Sequence, residues 1–322
     1  MNRFEWTDAA SVKEAVSQLN GRAVVKAGGV DLLDRLKEGL EAPERLVNIR
    51  NIRGLDKIEE GKDGLRIGAL VTLSRLSQDR LLLERYTALA EAAGRAATPQ
   101  IRNMATAGGN LLQRPRCWYF RQEEFHCRRK GGERCFALDG ENQYHAVFDN
   151  QLCAIVHPSA LAVPLVAMGA RVALTGARAS RTVELERFFL TPEQDIMREN
   201  TIAPDELITE VQVPSPQAGT RSAYIKQGEK ESFDWPVADV AVVLQMKGNV
   251  CQKASIVLGA AAPVPWRAAK SEAALAGKAV NEQTAREAAR LSMEGATPLA
   301  QNGYKLPVFE AIVRRAILKA VS

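Results

Sequence analysis

The stretch from Gln113 to Ala154 constrains this chain more than any other. It is polar, punctuated by glycine, and carries four of the five cysteines in 322 residues. A structureless loop of that length is rare inside a compact domain, so the segment is either functional or held by something other than an apolar core. Its charge is unusual as well. Between Arg114 and Arg134 lie Arg114, Arg116, Arg121, Arg128, Arg129, Lys130 and Arg134 against Glu123, Glu124 and Glu133, a local charge of +4 in a chain whose total is +5. The remainder is close to neutral, which argues against a surface coated for nucleic acid and for something anionic beside this one segment.

The cysteines fall as Cys117, Cys127, Cys135 and Cys153, spaced C-x9-C-x7-C-x17-C, with Cys251 alone downstream. So few cysteines in a chain this long do not make a disulfide framework. Zinc ribbons use close C-x2-4-C hooks, and none is present. Single, separated thiolates suit an iron–sulfur cluster, which takes one cysteine per iron. From the spacing alone, a cluster, a zinc site and scattered free thiols on a basic loop all remain open. His126, His145 and His157 are the only histidines, and no two stand at metal-ligand spacing.

Around this segment the chain reads as a folded protein of two or three units. Apolar residues make up 46% of it and charged residues 25%, which excludes wholesale disorder. The longest apolar stretch, Ala160 to Ala170, is broken by Pro164 and Gly169, so no membrane insertion is expected. The N-terminus lacks an apolar h-region, so no signal peptide is expected in this chain.

Short helix–strand units open the sequence: a helix over Ser11–Leu19, a strand over Ala23–Lys26, a helix over Asp31–Glu38, and strands over Arg45–Ile49 and Leu65–Ile67. Tyr86, Leu89, Ala90, Ala93 and Ala97 form a helical stripe bounded by Pro99. After the Pro214–Gly219 punctuation come strands over Ala223–Gln227, Val237–Met246 and Val250–Leu258. Two helices follow, the last with Phe309, Ile312, Val313, Ala316, Ile317 and Ala320 on one face.

Two glycine pairs carry the binding chemistry. In Lys26-Ala27-Gly28-Gly29-Val30-Asp31-Leu32-Leu33 a strand runs through two glycines into a helix. Such a turn lets backbone approach a ligand and offers successive N–H groups to phosphate oxygens. A tight turn with Asp31 capping the helix is the simpler alternative. In Thr106-Ala107-Gly108-Gly109-Asn110 the pair is flanked by a hydroxyl and an amide. No Gly-x-Gly-x-x-Gly or Walker A pattern occurs, which disfavours a Rossmann or P-loop site. No Gly-x-Ser-x-Gly and no His-Glu-x-x-His is present either, and no residue is assigned as catalytic.

Taken in order, these motifs resemble the flavoprotein subunits of the xanthine dehydrogenase and carbon monoxide dehydrogenase family. Leu46-Val47-Asn48-Ile49-Arg50, Ile67-Gly68-Ala69, Val156-His157-Pro158-Ser159 and Tyr224-Ile225-Lys226 extend the likeness over nearly the whole chain. Within that family the cysteine segment is similar to an insertion found in 4-hydroxybenzoyl-CoA reductase and periplasmic-type aldehyde oxidoreductase medium subunits. The resemblance implies an α+β chain with a vanillyl-alcohol-oxidase (PCMH)-type FAD-binding fold. Two α/β subdomains (1–60 and 61–216, the insertion at 113–155) would precede a C-terminal α+β domain (217–322) with an antiparallel sheet.

It implies FAD on Val25, Lys26, Ala27, Gly28, Gly29, Val30, Asp31, Leu32 and Leu33, and on Thr106, Gly108, Gly109 and Asn110, with Ile208 and Lys226 near the adenine or ring. It implies a [4Fe-4S] cluster on Cys117, Cys127, Cys135 and Cys153. The family usually has Asp after His-Pro-Ser, whereas this chain has Ala160, so a carboxylate contact to FAD is lost there. Val30 likewise stands where a Thr hydroxyl is common.

The function implied is electron transfer within a heterotrimeric molybdenum hydroxylase. A [2Fe-2S] small subunit, a molybdopterin-binding large subunit and an external carrier would be its partners. The compartment would be cytoplasmic, or periplasmic if a partner carries the export signal. Two rival classes are a zinc- or cluster-bearing nucleic-acid-binding module, betrayed by steep salt dependence, and a stand-alone flavin oxidase, betrayed by turnover without partners.

Overall fold

A computed structural model describes all residues, 1–322. The first unit is a three-stranded parallel sheet of β1 (Glu5–Asp8), β2 (Ala23–Lys26) and β3 (Arg45–Asn48), in the order β1-β3-β2. Thr7 and Val25 both register on Val47. Parallel neighbours need crossovers, which helices Val12–Ser17 and Val30–Lys37 supply. Ser11 caps the first of these by accepting from the Glu14 N–H at 3.1 Å. The sheet is covered on both faces, as parallel sheets are: Ala15, Val16, Val47 and Ile49 share one core, while Leu32, Leu36 and Leu46 share another.

The second unit holds β4 (Ile58–Gly61), β5 (Gly64–Gly68), β6 (Arg171–Gly176), β7 (Ser180–Glu184) and β8 (Glu206–Pro214), ordered β4-β5-β8-β6-β7. Every pair is antiparallel, so here helices layer on a sheet without parallel crossovers. Helices between residues 73 and 111 and helix Ala162–Ala167 pack with it around the largest core of the molecule. The third unit is an antiparallel sheet of β9 (Thr220–Gln227), β10 (Ala238–Lys247), β11 (Val250–Gly259) and β12 (Trp266–Arg267), in the order β12-β11-β10-β9. Its final helix, Lys305–Val321, buries all six residues of the expected stripe against the sheet.

Most expected elements appear within a few residues of their predicted bounds. The sequence reading misses β1, β4, β6–β8 and β12, and it gives two C-terminal helices where three are present: Ala269–Leu275, Glu282–Leu291 and Lys305–Val321. In β8 the residue Thr209 has no partner opposite it on β6, where the register jumps between Ala173 and Leu174. This bulge puts Ile208, Val211 and Val213 in one core, three and then two residues apart, while Leu207 packs in another, and so hides the period-two pattern of a strand.

Candidate functional site

The first two units and the strand ends of the third enclose a cleft with a volume of about 540 Å³. Val25, Ala27, Gly28, Gly29, Val30, Asp31, Leu32, Thr106, Gly108, Gly109, Asn110, Ile208 and Lys226 all line it, together with Ala160. Two expected residues turn elsewhere. Leu33 is absent from the lining and partly exposed. Lys26 is also outside it, with its ammonium 5.4 Å over the Trp6 ring and 3.5 Å from Asn48 Oδ1.

The two glycine loops differ. The N–H groups of Gly28, Gly29, Val30, Asp31 and Leu32 have no backbone acceptor, and no side chain caps the helix they open. Gly29 adopts φ 81°, a conformation that favours glycine. The result is an open row of donors at a helix N-terminus, suited to a phosphate. In the second loop three donors are already spent: Ala107 N bonds Val71 O, Gly108 N bonds Ala69 O, and Gly109 N bonds Thr106 Oγ1. Gly108 is needed for packing, since a Cβ there would lie 3.0 Å from the Ala69 Cβ. This loop offers the Thr106 N–H as its one free backbone donor, with the Thr106 hydroxyl proton and the Asn110 amide. Asn110 Oδ1 is itself taken by Ser159 Oγ (2.7 Å) and Leu161 N (3.1 Å), which orders the His-Pro-Ser-Ala turn.

His157 of that turn is buried beside Phe189, ring centroids 4.3 Å apart, and burial pushes its pKa down to about 3. In an unfolded chain it protonates near pH 6.5, whereas the folded chain keeps it neutral down to about pH 3. Stability is therefore complete above pH 6.5 and falls as the pH drops toward 3. At pH 4.5 this one group costs about 2 to 3 kcal/mol. The expected result for His157→Asn is a shallower loss of denaturant stability between pH 7 and 4.5. An unchanged slope would contradict the assignment.

Asp31 does not present a free carboxylate to the cleft. It accepts from Arg121 (2.7 Å) and the Arg114 N–H (3.0 Å) and forms ion pairs with Arg116 (2.9 Å) and Arg35 (3.0 Å). Burial would raise its pKa, but Arg116, Arg35 and Arg121 outweigh that and hold it below the usual carboxylate range. The side chain thus anchors the start of the cysteine segment to the first glycine loop.

The expectation that seven bases surround an anionic guest is corrected accordingly. Arg116 and Arg121 pair with Asp31, and Arg114 and Arg129 pair with Glu199. Arg128 bonds the Glu133 and Leu152 carbonyls, Lys130 bonds the Gln122 carbonyl, and Arg134 lies over the Phe136 ring. Inward pairing fixes the segment, and Arg129 also faces Cys153.

The far end of the segment docks on the C-terminal unit. Asn142 exchanges hydrogen bonds with Gln301, Asn302 donates to the His145 and Ala146 carbonyls, and the buried Lys305 ammonium reaches the carbonyls of Ala260 (2.6 Å) and His145 (2.9 Å). Burial lowers the Lys305 pKa to about 7.

Between these anchors the four thiols share one environment. No three His, Cys, Asp or Glu side chains meet as a site for a single metal ion. A tetrahedral zinc site would need sulfurs about 3.8 Å apart at a Zn–S length of about 2.3 Å. The thiols nonetheless influence one another: the titrations of Cys135 and Cys153 are linked, and Cys117 feels Cys153 and Cys127. Of the two, Cys135 is pushed up and Cys153 is held low, with Arg129 helping to hold it there. Burial pushes Cys117 up to about 12. The Arg129 guanidinium is 2% exposed, yet its Nε and Nη2 have no acceptor. Unpaired buried donors beside a thiolate fit a bound anionic group.

Sequence reasoning also missed several cleft residues. Arg116 lines it, with its guanidinium 4.7 Å over the Trp235 ring. Asp239 lines it too, with Oδ2 accepting from Tyr224 OH at 2.9 Å. Burial raises the Asp239 pKa to about 6, against the pull of Tyr224, Lys226 and Lys305. Lys226 donates to the Arg95 and Asp234 carbonyls. A Gly259 Cβ would sit 2.4 Å from the Asp239 carboxylate oxygens, so that glycine is the sequence trace of this buried acid.

Comparison with known proteins accords with this architecture. Residues 2–216 match the family described as the FAD binding domain in molybdopterin dehydrogenase, and residues 223–320 match the CO dehydrogenase flavoprotein C-terminal domain. The chain is 35% identical over 284 residues to the aldehyde oxidoreductase FAD-binding subunit PaoB of Escherichia coli, covering 87% of this chain and 86% of that protein. It is 31% identical to the carbon monoxide dehydrogenase medium chain of Hydrogenophaga pseudoflava, covering 98% and 96%. A solved carbon monoxide dehydrogenase from Hydrogenophaga pseudoflava superposes with a TM-score of 0.77 at 30% identity, covering 99% and 98% of the two chains. With its open donor row facing a cleft enclosed by two N-terminal units and the strand ends of a C-terminal sheet, the chain belongs to the FAD-binding medium subunits of the molybdenum hydroxylase family.

Proposed function

We propose that this chain is the electron-transfer subunit of a molybdenum hydroxylase or aldehyde oxidoreductase complex. One FAD would lie in the cleft and one [4Fe-4S] cluster on Cys117, Cys127, Cys135 and Cys153. Its partners would be a molybdopterin-binding large chain, a [2Fe-2S] small chain and an external carrier. The observation that carries the reading is a juxtaposition. Arg116, one residue before Cys117, lines the cleft and pairs with Asp31 of the open glycine loop.

Bound FAD supplies one- and two-electron exchange, and a cluster supplies one-electron steps. In this reading the N–H row of Gly28–Leu32 binds the diphosphate, and the Thr106 hydroxyl and Asn110 amide orient the chain that follows it. Val25, Ala27 and Ile208 wall the cleft, Lys226 holds the Asp234 turn over it, and Lys26 and Leu33 support the loop from behind. Moving electrons needs placed carriers rather than a general base, which agrees with the lack of an acid–base pair among the expected residues. The nucleic-acid reading loses its support because the cations of the basic segment are bonded within the chain. A stand-alone oxidase is less favoured, since the relatives are named as subunits and chains of larger enzymes.

The test is loading of the anaerobically isolated complex. Cys153→Ser is expected to lose the cluster signal in electron paramagnetic resonance while keeping at least half of its flavin. Unchanged cluster signals in the serine variants of all four cysteines would overturn the cluster assignment, and a flavin-free parent complex would overturn the whole reading.

A further inference from the structure

The turn between β9 and β10 carries two large aromatic side chains with little protein to pack on. Phe233 is 58% exposed and Trp235 is 52% exposed, yet both line the cleft. Apolar rings left in water at the mouth of a cleft mark a binding surface more often than a free surface.

The turn is tied down at three points. The Lys226 ammonium donates to the Asp234 carbonyl, beside Trp235. Glu229 accepts from the hydroxyl of Tyr144, a residue of the cysteine segment. The Arg116 guanidinium lies 4.7 Å from the centre of the Trp235 ring and is itself held 2.9 Å from Asp31. Two of these three ties come from the cysteine segment, so that segment sets where the turn stands. One face of the indole is taken by the guanidinium, a stacking arrangement that leaves the opposite face for another planar group.

We propose that Trp235, clamped by Arg116 across the mouth of the cleft, stacks on the flavin ring of the bound cofactor and makes flavin retention depend on the cysteine segment. The inference rests on the FAD reading above. The cleft occupant has planar rings, Lys226 stands beside the residue preceding Trp235, and burying the free indole face would supply both stacking and apolar contact. Arg116 acts as a positioning residue: it reaches the flavin through Trp235, and its own partners are Asp31, Asp34 at 3.8 Å and the ring. A continuous chain of contacts then runs from Cys117 through its neighbour Arg116 to Trp235 and the cleft.

The experiment uses the intact, anaerobically purified complex carrying Trp235→Leu, Trp235→Phe or Arg116→Gln, read by the rate of FAD release and by the visible circular dichroism of the flavin. Trp235→Leu is expected to release FAD about tenfold faster and to change the flavin dichroism. Trp235→Phe, which keeps a stacking ring, restores most of the slow release. Arg116→Gln gives a rate between those of the parent and the leucine variant. Release and dichroism in Trp235→Leu equal to those of the parent would overturn the proposal while leaving the FAD reading intact. Faster release without any change in flavin dichroism would overturn the flavin as the stacked ring and point to the adenine. A parent complex without FAD would instead sink the functional reading on which the proposal stands.

Discussion

Gly28→Ala is expected to strip the protein of FAD and to destabilise it by about 3 kcal/mol or more, a backbone-strain effect of the largest class. A Cβ at this position would lie 1.9 Å from the carbonyl oxygen of Met104 and 2.8 Å from its carbonyl carbon. Both atoms are backbone, so no rotamer change can relieve the clash. The Met104 carbonyl ends helix Pro99–Met104, immediately before the second glycine loop. Gly28 is therefore the point where the two loops are pressed together, and opening that contact widens the cleft at its donor row. Gly29→Ala makes a useful contrast. Its nearest obstacles are flexible side-chain atoms at 3.3 Å, and the cost is mainly that of the φ 81° backbone, about 1–2 kcal/mol. Denaturant unfolding and flavin content of the two variants check the prediction. Equal effects would mean that the loop contact does not organise the cleft.

Arg129→Met is expected to cost about 2–3 kcal/mol and to impair the cysteine site, whereas Arg128→Gln changes stability by less than about 0.5 kcal/mol. Adjacent in sequence, the two arginines differ in place. Arg128 is partly exposed and bonds carbonyls of its own segment. Arg129 is buried and bonds Glu199 Oε1 at 2.8 Å, and removing it takes one of two cations from a carboxylate that is itself 8% exposed, leaving Arg114 as its partner at 3.0 Å. Burial disfavours the Arg129 charge, but Cys153 and Glu199 together more than restore it, so its pKa lies above the usual value. A cation kept at that point stabilises the more negative, reduced state of any anionic group on the thiolates. Redox titration of the cluster in Arg129→Met should give a lower potential than the parent. A potential matching the parent would remove Arg129 from the electrostatics of the site.

What the sequence made legible follows from range. Helix stripes and the strands of the third unit are local patterns, and residues such as Phe309 to Ala320 declare their face directly. The first glycine loop was readable because its chemistry is that of consecutive backbone groups. The second was read by the same signature, yet its N–H groups close on Ala69 and Val71 from another part of the chain, which no local pattern records. The same limit explains Asp31. Its position in the loop suggested a ligand contact, while its four partners arrive from Arg35 and from a segment more than eighty residues away. Charge counting found the basic segment but could not tell cations aimed at a guest from cations spent on buried carboxylates. Strand β8 was hidden by the bulge at Thr209. The cleft face of Trp235, and the Asp239–Tyr224 pair, depend wholly on tertiary packing.

Native mass spectrometry of the anaerobically isolated complex, with this chain released still carrying its non-covalent load, tests the central claim most directly. The account predicts a species equal in mass to the polypeptide plus one FAD, four irons and four sulfides. A bare polypeptide, or one carrying zinc and no flavin, would contradict it.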